Sequence, residues 1–147
     1  FSLRLLERGF GTALIPEAYV YHKRRSTFKQ FFKQVYNSGI ARINLHLAHP
    51  GSLKFVHFLP SFFVMVMVLS LLLSIFFPIV VLVPVLYSLL VLIDSTARNN
   101  SLKVGFSSIA AAWTQLFGYG AGFMSALWKR LMLKKGEFNA FEKKFYE

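Results

Sequence analysis

The chain has 147 residues and a formal net charge of +11, from 17 Lys and Arg against 6 Asp and Glu. It is nevertheless 55% hydrophobic, with 17 Phe and a mean hydropathy of +0.50. This composition excludes a disordered chain and does not fit a small basic nucleic-acid-binding domain, so we expect no nucleic-acid partner. The absence of Cys excludes disulfide scaffolds and thiol chemistry. Apolar segments flanked by basic ones are typical of membrane proteins.

Residues 1–26 resemble the edge of a larger domain. The pattern predicts the end of a helix closed by Gly9, followed by two short strands at residues 10–15 and 18–21. About 26 residues are too few to bury a core alone. We therefore expect a remnant of an α/β domain whose larger part precedes Phe1, which makes the chain a fragment of a longer protein.

Residues 27–57 form a second segment, in which residues 27–47 carry apolar side chains at helical spacing. Thr27 with Gln30 three positions later predicts a capping box. Because basic side chains occupy the opposite face, the pattern predicts a helix lying in the membrane surface beside anionic lipid. An ordinary surface helix on a soluble domain is the alternative. The residues assigned to the membrane interface are Phe28, Lys29, Phe31, Phe32 and Lys33.

Residues 58–93 contain no charged side chain. A single helix of this length would measure about 54 Å, whereas the hydrocarbon core of a bilayer is about 30 Å thick. We therefore predict two transmembrane helices, at about 58–76 and 79–95, separated by Pro78. The uncharged connection between them favours a cytoplasmic N-terminal segment. We expect an integral membrane protein of the bacterial inner membrane.

Residues 104–128 are a third candidate for a transmembrane helix. They are uncharged but rich in Gly, Ala and Ser, and Gly118 with Gly122 forms a G-x-x-x-G pair that favours close helix packing. A re-entrant or in-plane helix is the alternative. Three crossings would place the basic tail at 129–147 opposite the basic N-terminal segment, whereas an even number would keep both in the cytoplasm. The expected fold is a mostly α membrane protein with two to three transmembrane helices, and we favour the third crossing.

An ordered series of short motifs gives the chain a resemblance to a known family. The series begins with Ser-Leu-Arg-Leu at Ser2, and a Pro-Glu-Ala-x-Val-x-His run ends at His22. In this order the motifs resemble the end of the catalytic domain of membrane-attached family 2 glycosyltransferases. The other matches are Gly9-Phe10, Arg25-Ser26, Phe31 to Gln34, Gly39 to Arg42, His49-Pro50 and Gly118 to Phe123.

The resemblance implies a GT-A fold, a nucleotide-sugar donor, a lipid-linked or cell-envelope polysaccharide acceptor, and a divalent metal such as Mg or Mn. It also implies that the Asp-x-Asp metal motif and the general-base Asp lie before Phe1. Neither Glu7 nor Glu17 replaces them convincingly. We therefore expect no catalytic residue, no bound cofactor and no glycosyl transfer in this chain alone.

The resemblance further assigns roles in the complete enzyme. It implies that His22, Arg24 and Arg25 contact the metal or the donor diphosphate, with solvated or packing roles as the alternative. Gln34 and Arg42 lie where processive members carry Gln-x-x-Arg-Trp over the acceptor. The chain lacks that motif, which favours transfer of a single sugar.

Two other functions compete with glycosyl transfer. A non-enzymatic anchor or assembly module would dock on anionic lipid through the basic amphipathic helix. A transporter fragment is less favoured, because no ionisable residue in 58–93 marks a pathway. His46, His49 and His57 are interpreted as interfacial residues, since their spacing is not typical of a metal site.

Overall fold

The computed structural model describes residues 2–21, 27–134 and 136, and this part of the chain is mostly helical without strands. Five α-helices follow one another, and short 3₁₀ turns lead into the third and fourth. The helices are α1 (Ser2–Glu7), α2 (Phe28–Ala48), α3 (Leu59–Leu73, after the turn Phe55–Phe58), α4 (Leu82–Asn99, after the turn Pro78–Val81) and α5 (Leu102–Ala126, continued by a π-helical turn Leu127–Met132).

The two predicted strands are wrong, and the described residues give no support to an α/β remnant. Residues 10–15 and 18–21 are turns and irregular backbone. Their apolar side chains face solvent: Leu14 is 91% exposed and Val20 is 88% exposed. A strand forms only where a neighbour takes its backbone hydrogen bonds, and the described part of the chain offers no such neighbour. The predicted end of α1 is confirmed, because Gly9 adopts a φ of +78° and its amide bonds to the Leu6 carbonyl at 3.0 Å.

The amphipathic helix α2 agrees with its predicted bounds within a residue. The Thr27 hydroxyl accepts a hydrogen bond of 3.3 Å from the Gln30 amide, as its N-cap position predicts. The helix ends before Pro50, and the next residue, Gly51, has a φ of +89°. Sequence periodicity and capping chemistry are therefore sufficient to define this element.

Two segments are long and apolar enough to cross a membrane, by length and composition. They are Phe55–Leu73 with 19 residues and Pro78–Asn99 with 22 residues. At 1.5 Å per residue these lengths are about 28 and 33 Å, close to the thickness of a bilayer core. The second extends four residues beyond its predicted end at residue 95, and this extension includes Arg98. Most of their apolar side chains are exposed, since only 22% and 6% of the two windows are buried.

Helix α5 lies at the centre of the fold, with α2 along one side and α3 and α4 along another. It is not among the candidate membrane helices of the described chain. The predicted G-x-x-x-G packing is confirmed: Gly118 faces Phe32 and Val35, and Gly122 faces the Tyr36 backbone. These pairs show that α2 and α5 run side by side in the same direction. The buried core consists of Ile40, Ile43, Phe123 and Ala126.

Candidate functional site

A cleft opens where α2, the turn before α3 and the second half of α5 meet. Its volume is about 350 Å³. Its lining combines polar groups with apolar side chains. A neighbouring hollow of about 320 Å³ shares Ser38, Arg42 and Tyr119 with it and continues to Ala41 and Leu45. The residues lining the cleft are Val35, Ser38, Arg42, Val56, His57, Pro60, Gln115, Leu116 and Tyr119.

Arg42 borders both hollows. The helical period of α2 places Gly39 and Ile43 against α5, so Ser38 and Arg42, one position earlier in each case, stand at the edge of that contact. Burial raises the pKa of the Tyr119 hydroxyl, and the positive charge of the neighbouring Arg42 partly opposes that rise. Because the guanidinium carries five N–H groups, Arg42 has donors for a ligand in the cleft.

His57 enters the cleft from the turn before α3. The Lys54 backbone amide donates a hydrogen bond of 2.9 Å to the His57 Nδ1. A neutral imidazole that accepts at Nδ1 carries its proton on Nε2, so this bond makes the other ring nitrogen a donor. Arg42 and Lys54 both lie close enough to His57 to interact with it electrostatically. The cleft therefore gathers positive potential from two consecutive elements, α2 and the turn before α3.

The chemistry of the cleft favours an anion. Its polar side chains are Ser38, Arg42, His57, Gln115 and Tyr119, all of which can donate hydrogen bonds, and none of the described lining residues is acidic. An Arg fork pairs with carboxylate or phosphate oxygens through two parallel hydrogen bonds. The arrangement can therefore hold a negative group.

Of the two predicted acceptor-side residues, only Arg42 lies in the cleft. The residues around it there were not predicted to belong to the site. Arg42 lines the cleft, whereas Gln34 is exposed on α2, where its carbonyl accepts a bond from the Ser38 hydroxyl at 3.1 Å. Tyr119 and Gln115 were not predicted, because they come from α5, about 75 residues further along the chain. The signals for Tyr119 were its position between two glycines of the packing motif and its place in the Gly118 to Phe123 match.

The predicted interface residues lie at the first turns of α2. Phe28, Lys29, Phe32 and Lys33 are exposed, and Phe31 is partly buried towards the protein. This arrangement is compatible with a helix end that contacts lipid. His22, Arg24 and Arg25, predicted to contact the metal or the diphosphate, lie outside the described residues.

The described residues do not form a metal site, because no three His, Cys, Asp or Glu side chains come together among them. His49 instead pairs with Glu7, with 2.9 Å between Nδ1 and Oε1, and this contact ties α1 to the end of α2. Glu7 is thus a structural partner of α2. The described residues therefore offer no ligand set for the metal that the resemblance implies.

Comparisons with family models, curated proteins and solved structures found no match for this chain.

Proposed function

We propose that the chain is the membrane-attached part of a family 2 glycosyltransferase that moves a sugar from a nucleotide-sugar donor to a lipid-linked or cell-envelope polysaccharide acceptor. The observation that supports this most is the position of Arg42. It closes the Gly-x-x-Arg motif on α2 and lines a cleft beside the first candidate membrane helix. An acceptor that reaches the enzyme from the bilayer would pass this point.

In this proposal the chain positions the acceptor, and the catalytic half of the enzyme is supplied by residues outside it. An upstream carboxylate would remove the acceptor proton during an inverting displacement at the anomeric carbon. His22, Arg24 and Arg25 would hold the metal or the diphosphate of the leaving nucleotide. The absence of Gln-x-x-Arg-Trp favours transfer of one sugar per acceptor.

We also propose that two helices cross the membrane and that α5 enters it from the cytoplasmic side without crossing. Helix α2 directly precedes the first candidate membrane helix, and α5 directly follows the second. Since α2 and α5 pack side by side, a crossing α5 would draw α2 and its Lys29, Lys33 and Arg42 into hydrocarbon, where each charge costs about 3 kcal/mol or more. Two crossings leave both basic segments in the cytoplasm of a bacterial inner membrane.

The decisive experiment uses the complete reading frame that contains this chain, expressed in membranes. A panel of nucleotide sugars with Mg or Mn should include one that releases its nucleoside diphosphate and labels a lipid or polysaccharide fraction. His22→Ala should reduce that turnover by about tenfold or more, while the matched variant His46→Ala should not. The proposal would be refuted if the upstream sequence lacked both the Asp-x-Asp metal motif and the general-base Asp, and if no donor released its diphosphate. Turnover by the purified 147-residue chain would also refute it.

A second function, a non-enzymatic membrane anchor, is favoured by the exposed start of α2. Phe28 is 53% exposed and Phe32 is 42% exposed, and Lys29 and Lys33 are exposed beside them. Aromatic rings beside Lys suit anionic lipid. The full reading frame distinguishes the two functions, because an anchor carries no upstream carboxylate motif and releases no nucleoside diphosphate.

A further inference from the structure

We infer that the cleft around Arg42 is a binding site for the phosphate group of an anionic membrane lipid, whose chains lie along the apolar side of the same cleft. The inference rests on the membrane attachment of α3 and α4 but not on glycosyl transfer. A chain without any catalytic activity would hold the lipid equally well.

The first support is the set of donors at one position. The Arg42 guanidinium, the proton on the His57 Nε2 and the Gln115 amide all border the same cavity, with the Lys54 charge beside it. A phosphate presents several acceptor oxygens and a negative charge, so it satisfies these groups together. The described lining offers no carboxylate that would compete for Arg42.

The second support is the apolar part of the lining. Val35 from α2, Val56 and Pro60 from the start of the first candidate membrane helix, and Leu116 from α5 all border the cavity that holds Arg42. A free phosphate ion gains no affinity from contact with such a surface, whereas a lipid carries apolar chains directly next to its phosphate. Area removed from water on this side would add to the affinity in proportion to the chain length buried.

The third support is the location and size of the site. His57 stands in the turn Phe55–Phe58, at the first residues of the candidate membrane helix, which is the depth at which headgroups lie. The cleft and the adjoining hollow measure about 350 and 320 Å³ and share the Arg42 and Tyr119 side chains. Each falls within the range of about 300–1,000 Å³ typical of small-molecule sites.

The test measures lipid retention by the full chain, purified in detergent, with native mass spectrometry. Three probes separate the parts of the ligand: phosphatidic acid, the matching diacylglycerol without phosphate, and glycerol 3-phosphate without chains. We expect one retained phosphatidic acid per chain and about tenfold weaker binding of each of the other two. Diacylglycerol binding equal to phosphatidic acid would overturn the role of the phosphate. Equal binding of glycerol 3-phosphate would make this a site for free phosphate and overturn the lipid.

A pair of charge-matched variants locates the site. Arg42→Gln should weaken phosphatidic acid binding about tenfold, and Arg42→Lys should lie between this variant and the wild type, because a Lys keeps the charge but loses the fork. Lys103→Gln removes the same charge from an exposed position on α5, 16 residues and about 24 Å along that helix from Tyr119, and should retain the bound lipid. Equal losses from Arg42→Gln and Lys103→Gln would overturn the inference, since they would indicate general attraction to basic protein.

A measurement on the wild-type chain keeps the inference testable if the Arg42 variants fail to fold. A phosphatidic acid with a photoreactive group in its acyl chain is bound, illuminated and mapped by peptide sequencing. Labels should concentrate on peptides that contain Val35, Val56 or Leu116. Labels confined to the exposed faces of α3 and α4, at Leu72 or Leu90 for example, would overturn the inference.

Discussion

Gly39 on α2 lies directly against the Phe123 backbone on α5, so that a methyl group built on Gly39 would approach the Phe123 amide nitrogen to 2.6 Å. The neighbouring backbone of Tyr119 blocks the same space. Gly122 repeats the relationship in the other direction, against the backbone of Tyr36. Backbone cannot rotate away as a side chain can, so these glycines allow the two helices to pack closely along their lengths.

The first prediction is that Gly39→Ala destabilises the protein. Helix propensity alone predicts a gain of about 1 kcal/mol for Ala over Gly inside a helix. The contact predicts the opposite sign, because separating two backbones costs about 1–3 kcal/mol. Thermal unfolding in detergent measures the outcome, with Gly11→Ala as control, since a methyl group there meets nothing within 4 Å. A melting temperature of Gly39→Ala at or above wild type would contradict the packing.

The second prediction concerns the side of the membrane on which α2 and the end of the chain lie. Because the sequence has no Cys, single-Cys variants at Lys29, Phe77 and Gly136 can be labelled with an impermeant maleimide in sealed vesicles. All three positions are exposed. We expect Lys29→Cys and Gly136→Cys to react from the same side and Phe77→Cys from the opposite one. Reaction of Gly136→Cys from the side of Phe77 would show that α5 crosses.

The third prediction tests the contact that joins α4 to α5. The Trp113 indole donates a hydrogen bond of 3.0 Å to the Ser88 hydroxyl, within an aromatic cluster that includes Phe63 and Tyr87. Ser88→Ala leaves the indole N–H without its acceptor, and we expect a loss of about 1–3 kcal/mol in the free energy of unfolding.

A double-mutant cycle with Trp113→Phe isolates this bond from the packing of the ring. The two changes together should cost less than the sum of the single changes, by about 1 kcal/mol. Ser107→Ala is the matched control. The Ser107 and Ser88 hydroxyls each donate a hydrogen bond to the carbonyl four residues earlier, but Ser107 is exposed. Full additivity of Ser88→Ala and Trp113→Phe would mean that the hydrogen bond contributes nothing.

The fourth prediction concerns the tie between α1 and α2. The pair formed by Glu7 and His49 is partly exposed, with 58% of the Glu7 side chain accessible, so its contribution is about 0–1 kcal/mol. Glu7→Gln should leave global stability within that range but accelerate hydrogen exchange of the Phe10 amide, which bonds to the Leu5 carbonyl at 3.0 Å. Glu17→Gln is the control. Unchanged exchange in Glu7→Gln would show that the pair does not hold α1.

The helices could be predicted from the sequence because their signals are local. Thr27 with Gln30 defines the start of α2, and the uncharged run after residue 57 identifies two apolar helices. The prediction of two strands was wrong because a strand requires a neighbouring strand to bond with, and a local sequence pattern does not reveal that neighbour. Whether α5 crosses the membrane stays a prediction, and its glycines show only that it packs closely against neighbouring helices.

Of the residues that line the cleft, only Arg42 was predicted to be a site residue. Arg42 had a motif around it, but His57 looked like one of several interfacial histidines. Its difference from His46 and His49 is that the Lys54 amide orients its ring, a contact that depends on the turn before α3. Tyr119 meets Arg42 only because α2 packs on α5. The G-x-x-x-G spacing predicts that α5 packs closely on another helix but not on which one, so it did not predict this pair.

The close contact between Gly39 and α5 has a consequence for the order of events during synthesis. The surface that receives Gly39 lies in the last helix of the described chain, about 80 residues later. At about 5–20 residues per second, α2 leaves the ribosome about 4–16 s before its partner is complete. During that interval the face of α2 that packs on α5 lacks this partner. In the proposed membrane arrangement the hairpin of α3 and α4 is inserted first, and the packing of α5 on α2 completes the assembly.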